Sequence, residues 1–161
     1  MENPYILMKK PIRRTWTKKM SVLFEPQNIK IGDRTIIDNP CDYDLEVKKS
    51  PIHGYGLFTK IPFRKGQTIC PYNHLPSQVI SWKDFEDKYG KDYSFTYSLK
   101  AFGNKKIINC KEIQNCVCFV NDDRPNENCY FRQRCLRAKR DIKAGEELTL
   151  CYPHYNPRDN I

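Results

Sequence analysis

The residues best placed to hold a small molecule sit in "HGYG", residues 53–56. Gly54 and Gly56 remove two β-carbons within three residues, so backbone N–H and C=O groups there can come close to a ligand. The pair lacks the further glycine and the following helix of a dinucleotide-binding turn, and a simple tight turn is the competing explanation. Asn121 stands where the apolar run "CVCFV" meets the polar loop "NDDRPNENC". Its amide offers donors and an acceptor to a ligand, or shapes the loop as an Asx-turn. Tyr152 closes "GEELTLC", where a strand would project its phenol toward whatever the adjacent loops enclose, and His154 and Tyr155 follow at once.

A single domain must carry these groups, because 161 residues suffice for one core and are short for two. The balance of 28 basic against 19 acidic residues, formally +9, is uneven: Lys9, Lys10, Arg13, Arg14, Lys18 and Lys19 crowd one early segment. That cluster suits an acidic partner surface or a solvated tail. Eight cysteines raise the question of a disulfide scaffold. The first residues have no apolar core of signal-peptide length and no stretch approaches a membrane span, so reduced thiols are expected. Cys110, Cys116, Cys118, Cys129 and Cys135 lie in one region without a C-x-x-C knuckle, which favours small buried thiols over a zinc site.

The elements that position the candidates are short. Residues 1–44 read as a basic extension with strands at "SVLFEP" and "TIID", and residues 45–161 as the functional domain. "DLEVKKS" and "GLFTK" alternate as strands about the Pro51 and Gly54 break, and "PFRKGQ" is a turn. In "SWKDFEDKYG", Ser81 is an N-cap, Trp82, Phe85 and Tyr89 share one helical face, and Gly90 ends the helix. "YSFTYSL", "KKIINC", "CVCFV" and "RCLRAKRDI" read as strands, and Gly145 turns the chain into a last strand through "EELTLCY". The class is mainly β (α+β), with one or two short helices.

The order and separation of these groups resemble the SET-domain protein lysine methyltransferases. The resemblance runs from about Val47 to Tyr155 and rests on "SPIHGYGLFTKIPFRKGQTI", "DYSF", "IINCKEIQNCVCFVND" with "PNENC", and "IKAGEELTLCY". The first and last are close matches. The third is a variant, with Asp122 where the family commonly has His, a loop one residue shorter, and Cys118 where Arg often precedes the Phe. The resemblance implies the SET fold, several small curved sheets in a β-clip, with a C-terminal pseudoknot bringing the Asn121 segment beside Tyr152. It implies S-adenosylmethionine as cofactor, bound by His53, Gly54, Tyr55, Gly56, Asn121, Asp122 and Tyr152. Tyr152 and Tyr93 become the catalytic tyrosines, with Tyr97 the alternative to Tyr93, and Tyr93, Phe95, Tyr97 and Tyr155 line the lysine channel. Compact viral SET proteins are similar in lacking a cysteine-rich segment after the closing motif, so His154 and Tyr155, or the second subunit of a homodimer, would wall the channel.

The reaction so implied is methyl transfer to a protein lysine, in a histone tail by family habit or in a non-histone protein. It is an in-line displacement that needs neither a covalent intermediate nor a metal. A phenol of pKa near ~10 has little capacity as a base at neutral pH, so Tyr152 is expected to orient the amine. The basic cluster Lys9 to Lys19 is assigned to nucleosomal DNA. The expected location is the nucleus, a host's nucleus if the chain is viral, with the cytoplasm as the alternative. Two further readings compete: a SET-fold binding module without turnover, signalled by Asp122, and a zinc-containing nucleic-acid-binding protein built on the cysteines.

Overall fold

The alternating "LEVKK" forms strand β3 (Leu45–Lys49), and β4 (Tyr55–Thr59) returns antiparallel to it with Val47 opposite Leu57. A computed structural model describes residues 25–98 and 105–152, and these bear out the mainly β reading: four small sheets and one α-helix. The turn between β3 and β4 is closed by Ser50 N–H donating to Gly54 O at 2.8 Å, with Gly54 at φ +45°, a conformation glycine adopts without strain.

Into this hairpin's sheet comes the end of the chain's described part. Strand β12 (Glu147–Leu150) lies between β4 and the short strand β9 (Asn121–Asp122). It runs antiparallel to β4, with Leu148 opposite Leu57, and parallel to β9, with Thr149 opposite Asn121. A parallel pair cannot be joined by a hairpin. The intervening chain therefore leaves the sheet, builds β10 (Cys129–Arg132) and β11 (Cys135–Ala138) beside β5 (Thr68–Pro71), and returns through Gly145 at φ +89°. One buried side chain fixes the return. Asn128 donates to Glu147 O at 2.8 Å and accepts from Thr149 N–H at 2.8 Å, so an amide takes the place of a strand neighbour.

The remaining elements wall the cleft described below. Strand β8 (Lys106–Asn109) pairs with β6 (Val79–Ser81) on one side and β7 (Thr96–Ser98) on the other. Helix α1 (Trp82–Tyr89) is capped as its sequence predicts, Ser81 Oγ accepting from Asp84 N–H at 3.1 Å and Gly90 ending it. Its apolar face packs Trp82 and Phe85 on Ile107. Strands β1 (Ile29–Ile31) and β2 (Arg34–Ile36) precede the boundary read at Leu45, yet Ile36 and Tyr43 share the main core with Leu57, Phe119 and Leu148.

Three expectations need correction. "CVCFV" is a 3-10 turn over Cys116–Phe119, because the Cys116 N–H is taken by the buried Asp38 carboxylate at 2.7 Å and the next donors close locally onto Asn115 and Val117. An apolar run this short does not distinguish the two conformations. The expected strand at "SVLFEP" is absent at Glu25 and Pro26, its other residues lying outside the described ones. Strands β1, β5, β6, β9 and β10, each of two to four residues, were not expected. The basic cluster Lys9 to Lys19, His154 and Tyr155 also lie outside the described residues. Among the described residues no helix is long and apolar enough to cross a membrane.

Asn128→Ala removes the partners of two buried main-chain groups on β12, and each such loss costs about 1–3 kcal/mol. Urea denaturation should therefore show about 2–6 kcal/mol less stability than the parent, with an unchanged m value.

Candidate active site

The parallel β9–β12 pairing sets Asn121 beside the β3–β4 turn. Its Nδ2 lies 3.0 Å from His53 O, 3.1 Å from Tyr55 O and 2.9 Å from Glu147 Oε1, so its two hydrogens are shared among three acceptors. Glu147 in turn accepts from Ser50 Oγ at 2.7 and 2.8 Å through its two oxygens. One amide and one carboxylate thus tie the glycine turn, the strand after the 3-10 turn and the closing strand. The need for glycine at 56 follows: a β-carbon there would lie 2.2 Å from Glu147 Oε1 and 3.1 Å from Ser50 Cβ. Gly56 makes room for the carboxylate and does not border the cleft, whereas Gly54 does.

Tyr152 follows β12 directly. Its N–H donates to Asp122 Oδ2 at 2.9 Å and its hydroxyl donates to Val120 O. The residue keeps 43% of its surface exposed while its hydroxyl is part-buried against Val120 O, and that loss of water, with Cys118 and Asp122 nearby, pushes the phenol well above its ordinary value; Arg34 opposes the shift. A phenol so raised stays protonated at neutral pH. Asp122, expected at the cofactor, is turned to structure: besides Tyr152 N–H its carboxylate accepts Arg124 N–H at 3.0 Å and Arg124 Nε at 3.2 Å. Burial alone would raise the Asp122 carboxyl, but these hydrogen bonds and the Arg124 charge bring it below its ordinary value. Arg124 thereby pins its own loop through the Asp122 carboxylate.

One cation of the site, beside Lys91, Arg134 and Lys139 on the same cleft, comes from outside the expected motifs. Arg34, on β2, donates from Nε to Gln114 Oε1 at 2.7 Å and from Nη2 to Cys118 O at 2.9 Å. Its guanidinium lies 3.7 Å over the Phe119 ring and 5.3 Å from the Phe95 ring, cation–π geometry. Where the motif has Cys118 in place of Arg, a guanidinium reaches the same carbonyl from another strand.

These groups border one cleft of about 1620 Å³. Of the residues expected at the site, His53, Gly54, Tyr55, Asn121 and Tyr152 line it, as do Tyr93, Phe95 and Tyr97. Gly56 and Asp122 support it from behind, and Tyr155 is not among the described residues. Tyr93 and Tyr97 differ in what holds them. Tyr93 donates its hydroxyl to Glu86 Oε1 at 2.7 Å and packs on Trp82 and Phe85. Tyr97 instead joins Tyr72 and Phe131, ring centroids 5.1 and 5.7 Å away, in an aromatic wall. Glu147 was missed; its signal in "GEELT" is an acidic residue on a strand otherwise made of Leu148, Thr149 and Leu150. Nothing local marks Arg34, since its role arises from tertiary packing.

Gly56→Ala forces Glu147 aside and Glu147→Ala removes the obstacle, so the two changes should be strongly non-additive. In a double-mutant cycle by urea denaturation, the pair should cost less than the sum of the singles by about 0.5–3 kcal/mol. Additivity would show that Gly56 and Glu147 do not share the space.

The SET domain family matches residues 54–153. The chain is 29% identical over 157 residues to the N-lysine methyltransferase KMT5A-A of Danio rerio, covering 88% of this chain and 44% of that protein. It is 27% identical over 154 residues to the histone-lysine N-methyltransferase ATX2 of Arabidopsis thaliana, covering 89% and 14%. It is also 27% identical over 143 residues to a variant-silencing SET domain-containing protein of Plasmodium falciparum, covering 78% and 6%. The chain spans less than half the length of each of these relatives. With the glycine turn, the Asn121 segment and the closing tyrosine joined as described, this chain belongs to the SET-domain family.

Proposed function

We propose that the protein transfers a methyl group from S-adenosylmethionine to the side-chain amine of a protein lysine, with a histone tail as the substrate. The observation that carries this reading is the Asn121 amide, bonded to His53 O, Tyr55 O and Glu147, which holds a bare-backbone turn and the Tyr152 phenol on one cleft. The names of related SET proteins support the same activity.

The residues fit such a cofactor. Nothing lies within 4 Å of where a Gly54 β-carbon would be, so a ligand can lie against the main chain there. Pockets for one drug-sized molecule have roughly 300–1,000 Å³. At about 1620 Å³ the cleft has room for a cofactor and a lysine side chain together. His53, Gly54, Tyr55 and Asn121 would hold the cofactor, which when bound supplies an electrophilic methyl group on a sulfonium.

The chain's own residues meet the remaining demand, a free amine aimed at that methyl. Lysine has a solution pKa near ~10.4, so only roughly one amine in a thousand is unprotonated at physiological pH. Apolar walls of Phe95, Tyr97 and Phe131 disfavour the ammonium by desolvation, and Arg34 disfavours it by like charge. The proton leaves to solvent before transfer. Tyr152, its hydroxyl hydrogen given to Val120 O, keeps oxygen lone pairs that can accept an amine N–H and so point the nitrogen's own lone pair away from the phenol. Aromatic residues and not carboxylates therefore orient the nucleophile. We assign the basic cluster Lys9 to Lys19 to nucleosomal DNA and the protein to the nucleus, both consistent with the +9 charge.

The test is transfer of labelled methyl from S-adenosylmethionine to core histones, repeated with Tyr152→Phe. The parent should label a histone, and the variant should lose about a hundredfold or more in kcat, the scale of one oriented polar group in a closed site. Because the phenol is not the base, the pH–rate profile of the variant should keep its rising limb unshifted. Absence of labelling in histones and in a cell lysate would overturn the proposal, and a shifted limb would make Tyr152 the base.

A further inference from the structure

Two thiols meet at the floor of the cleft. Cys110, after β8, is fully buried, while Cys118 in the 3-10 turn is half-buried and lines the cleft. Tyr72 bridges them, its hydroxyl donating to Cys110 Sγ at 3.2 Å and lying 3.7 Å from Cys118 Sγ. The two sulfurs thus have the Tyr72 hydroxyl as their common neighbour. Methyl transfer uses neither sulfur. Of the other described cysteines, Cys129 and Cys151 also line the cleft, Cys129 buried with its thiol on Asn128 Oδ1 and Cys151 exposed; Cys116 is buried against Asp38, and Cys41 is exposed.

We propose that Cys118 is a modification site for peroxides, and that its oxidation joins it to Cys110 in an intramolecular disulfide under the cleft. Such chemistry needs an accessible thiolate and a second thiol within reach of it. The cleft supplies access to Cys118, and Cys110 is the thiol on the other side of the same Tyr72 hydroxyl. Burial alone would raise the Cys118 thiol, but its polar neighbours, Cys110 first, then the Asn115 main chain and Tyr72, and the nearby Arg34 charge bring it below its ordinary value.

The atoms balance with the peroxide as the only oxidant. The Cys118 thiolate attacks one peroxide oxygen; an S–O bond forms, the O–O bond breaks, and the departing hydroxide takes a proton to become water. Cys110 sulfur then attacks Cys118 sulfur; the S–S bond forms, the S–O bond breaks, and the second hydroxide takes the Cys110 proton. Two sulfurs give up two electrons in total and the peroxide is reduced to two waters. A disulfide needs the sulfurs about 2.05 Å apart, so both side chains must turn from hydrogen-bond contact and release Tyr72. Cys118 O is the acceptor for Arg34, and Val120 O, two residues on, is the acceptor for the Tyr152 hydroxyl. A shift of this turn therefore reaches both groups of the site.

The full chain is treated with graded hydrogen peroxide, free thiols are alkylated, and tryptic peptides are mapped by mass spectrometry without reduction. Cleavage after Lys111 separates the two cysteines, so the disulfide should link the peptide ending at Lys111 to the one beginning at Glu112. The link should vanish with dithiothreitol and in Cys118→Ser, and in Cys110→Ser the Cys118 sulfur should go on to sulfinic acid, which dithiothreitol does not reverse. Circular dichroism establishes that the variants fold; if one does not, mapping of the parent decides. Overturning results are a Cys118 that stays reduced while exposed Cys41 and Cys151 are oxidised, or an oxidised Cys118 in the parent with no link to Cys110.

Discussion

The site depends on one requirement: the Asn121 amide and the Glu147 carboxylate, both drawn partly out of water, must satisfy each other. A half-buried carboxylate without donors is expensive, and its hydrogen bonds to Ser50 and Asn121 are charge-assisted, each worth about 1.5–3 kcal/mol. Once they form, the glycine turn cannot drift from the Asn121 strand, because the same amide holds His53 O and Tyr55 O. Gly56 is glycine to admit that carboxylate, and β12 must lie between β4 and β9 to deliver it.

Around that hub the labour is divided. Asn128 anchors the strand that brings Glu147 in, and Asp122 anchors the backbone of Tyr152 leaving it. Helix α1 and its aromatic partners hold one wall, with Tyr93 tied to Glu86, while Tyr72, Tyr97 and Phe131 form another. Arg34, one of the cations on the cleft, is braced over Phe119 and fixed at Gln114 and Cys118 O. Most of the polar groups around the cleft are engaged in holding its shape, which is what a reaction governed by position requires.

What could be read from the chain alone follows the range of the forces involved. Helix α1 was legible because cap, periodicity and stop lie within ten residues, and the turns at Gly54 and Gly145 because positive φ selects glycine. The meeting of His53, Gly54, Asn121 and Tyr152 was legible through a family resemblance carried by their motifs. The 3-10 turn at Cys116–Phe119 was not, because its conformation is set by Asp38, remote in sequence. Gly56 was assigned to the ligand, and the space left by its missing β-carbon holds the Glu147 carboxylate, a use the sequence does not disclose because a missing β-carbon does not say which neighbour needs the space. Arg34 was hidden in a segment read as an extension, where nothing near it hints at Phe119 or Cys118.

The most direct test of the central claim is a crystal structure of the chain with S-adenosylhomocysteine and a lysine peptide. The account predicts the nucleoside product against the Gly54 backbone and Asn121, the lysine side chain ending beside Tyr152, and the Asn121 amide still bonded to Glu147. A ligand bound away from Gly54, or an Asn121 amide turned off Glu147 in the complex, would contradict it.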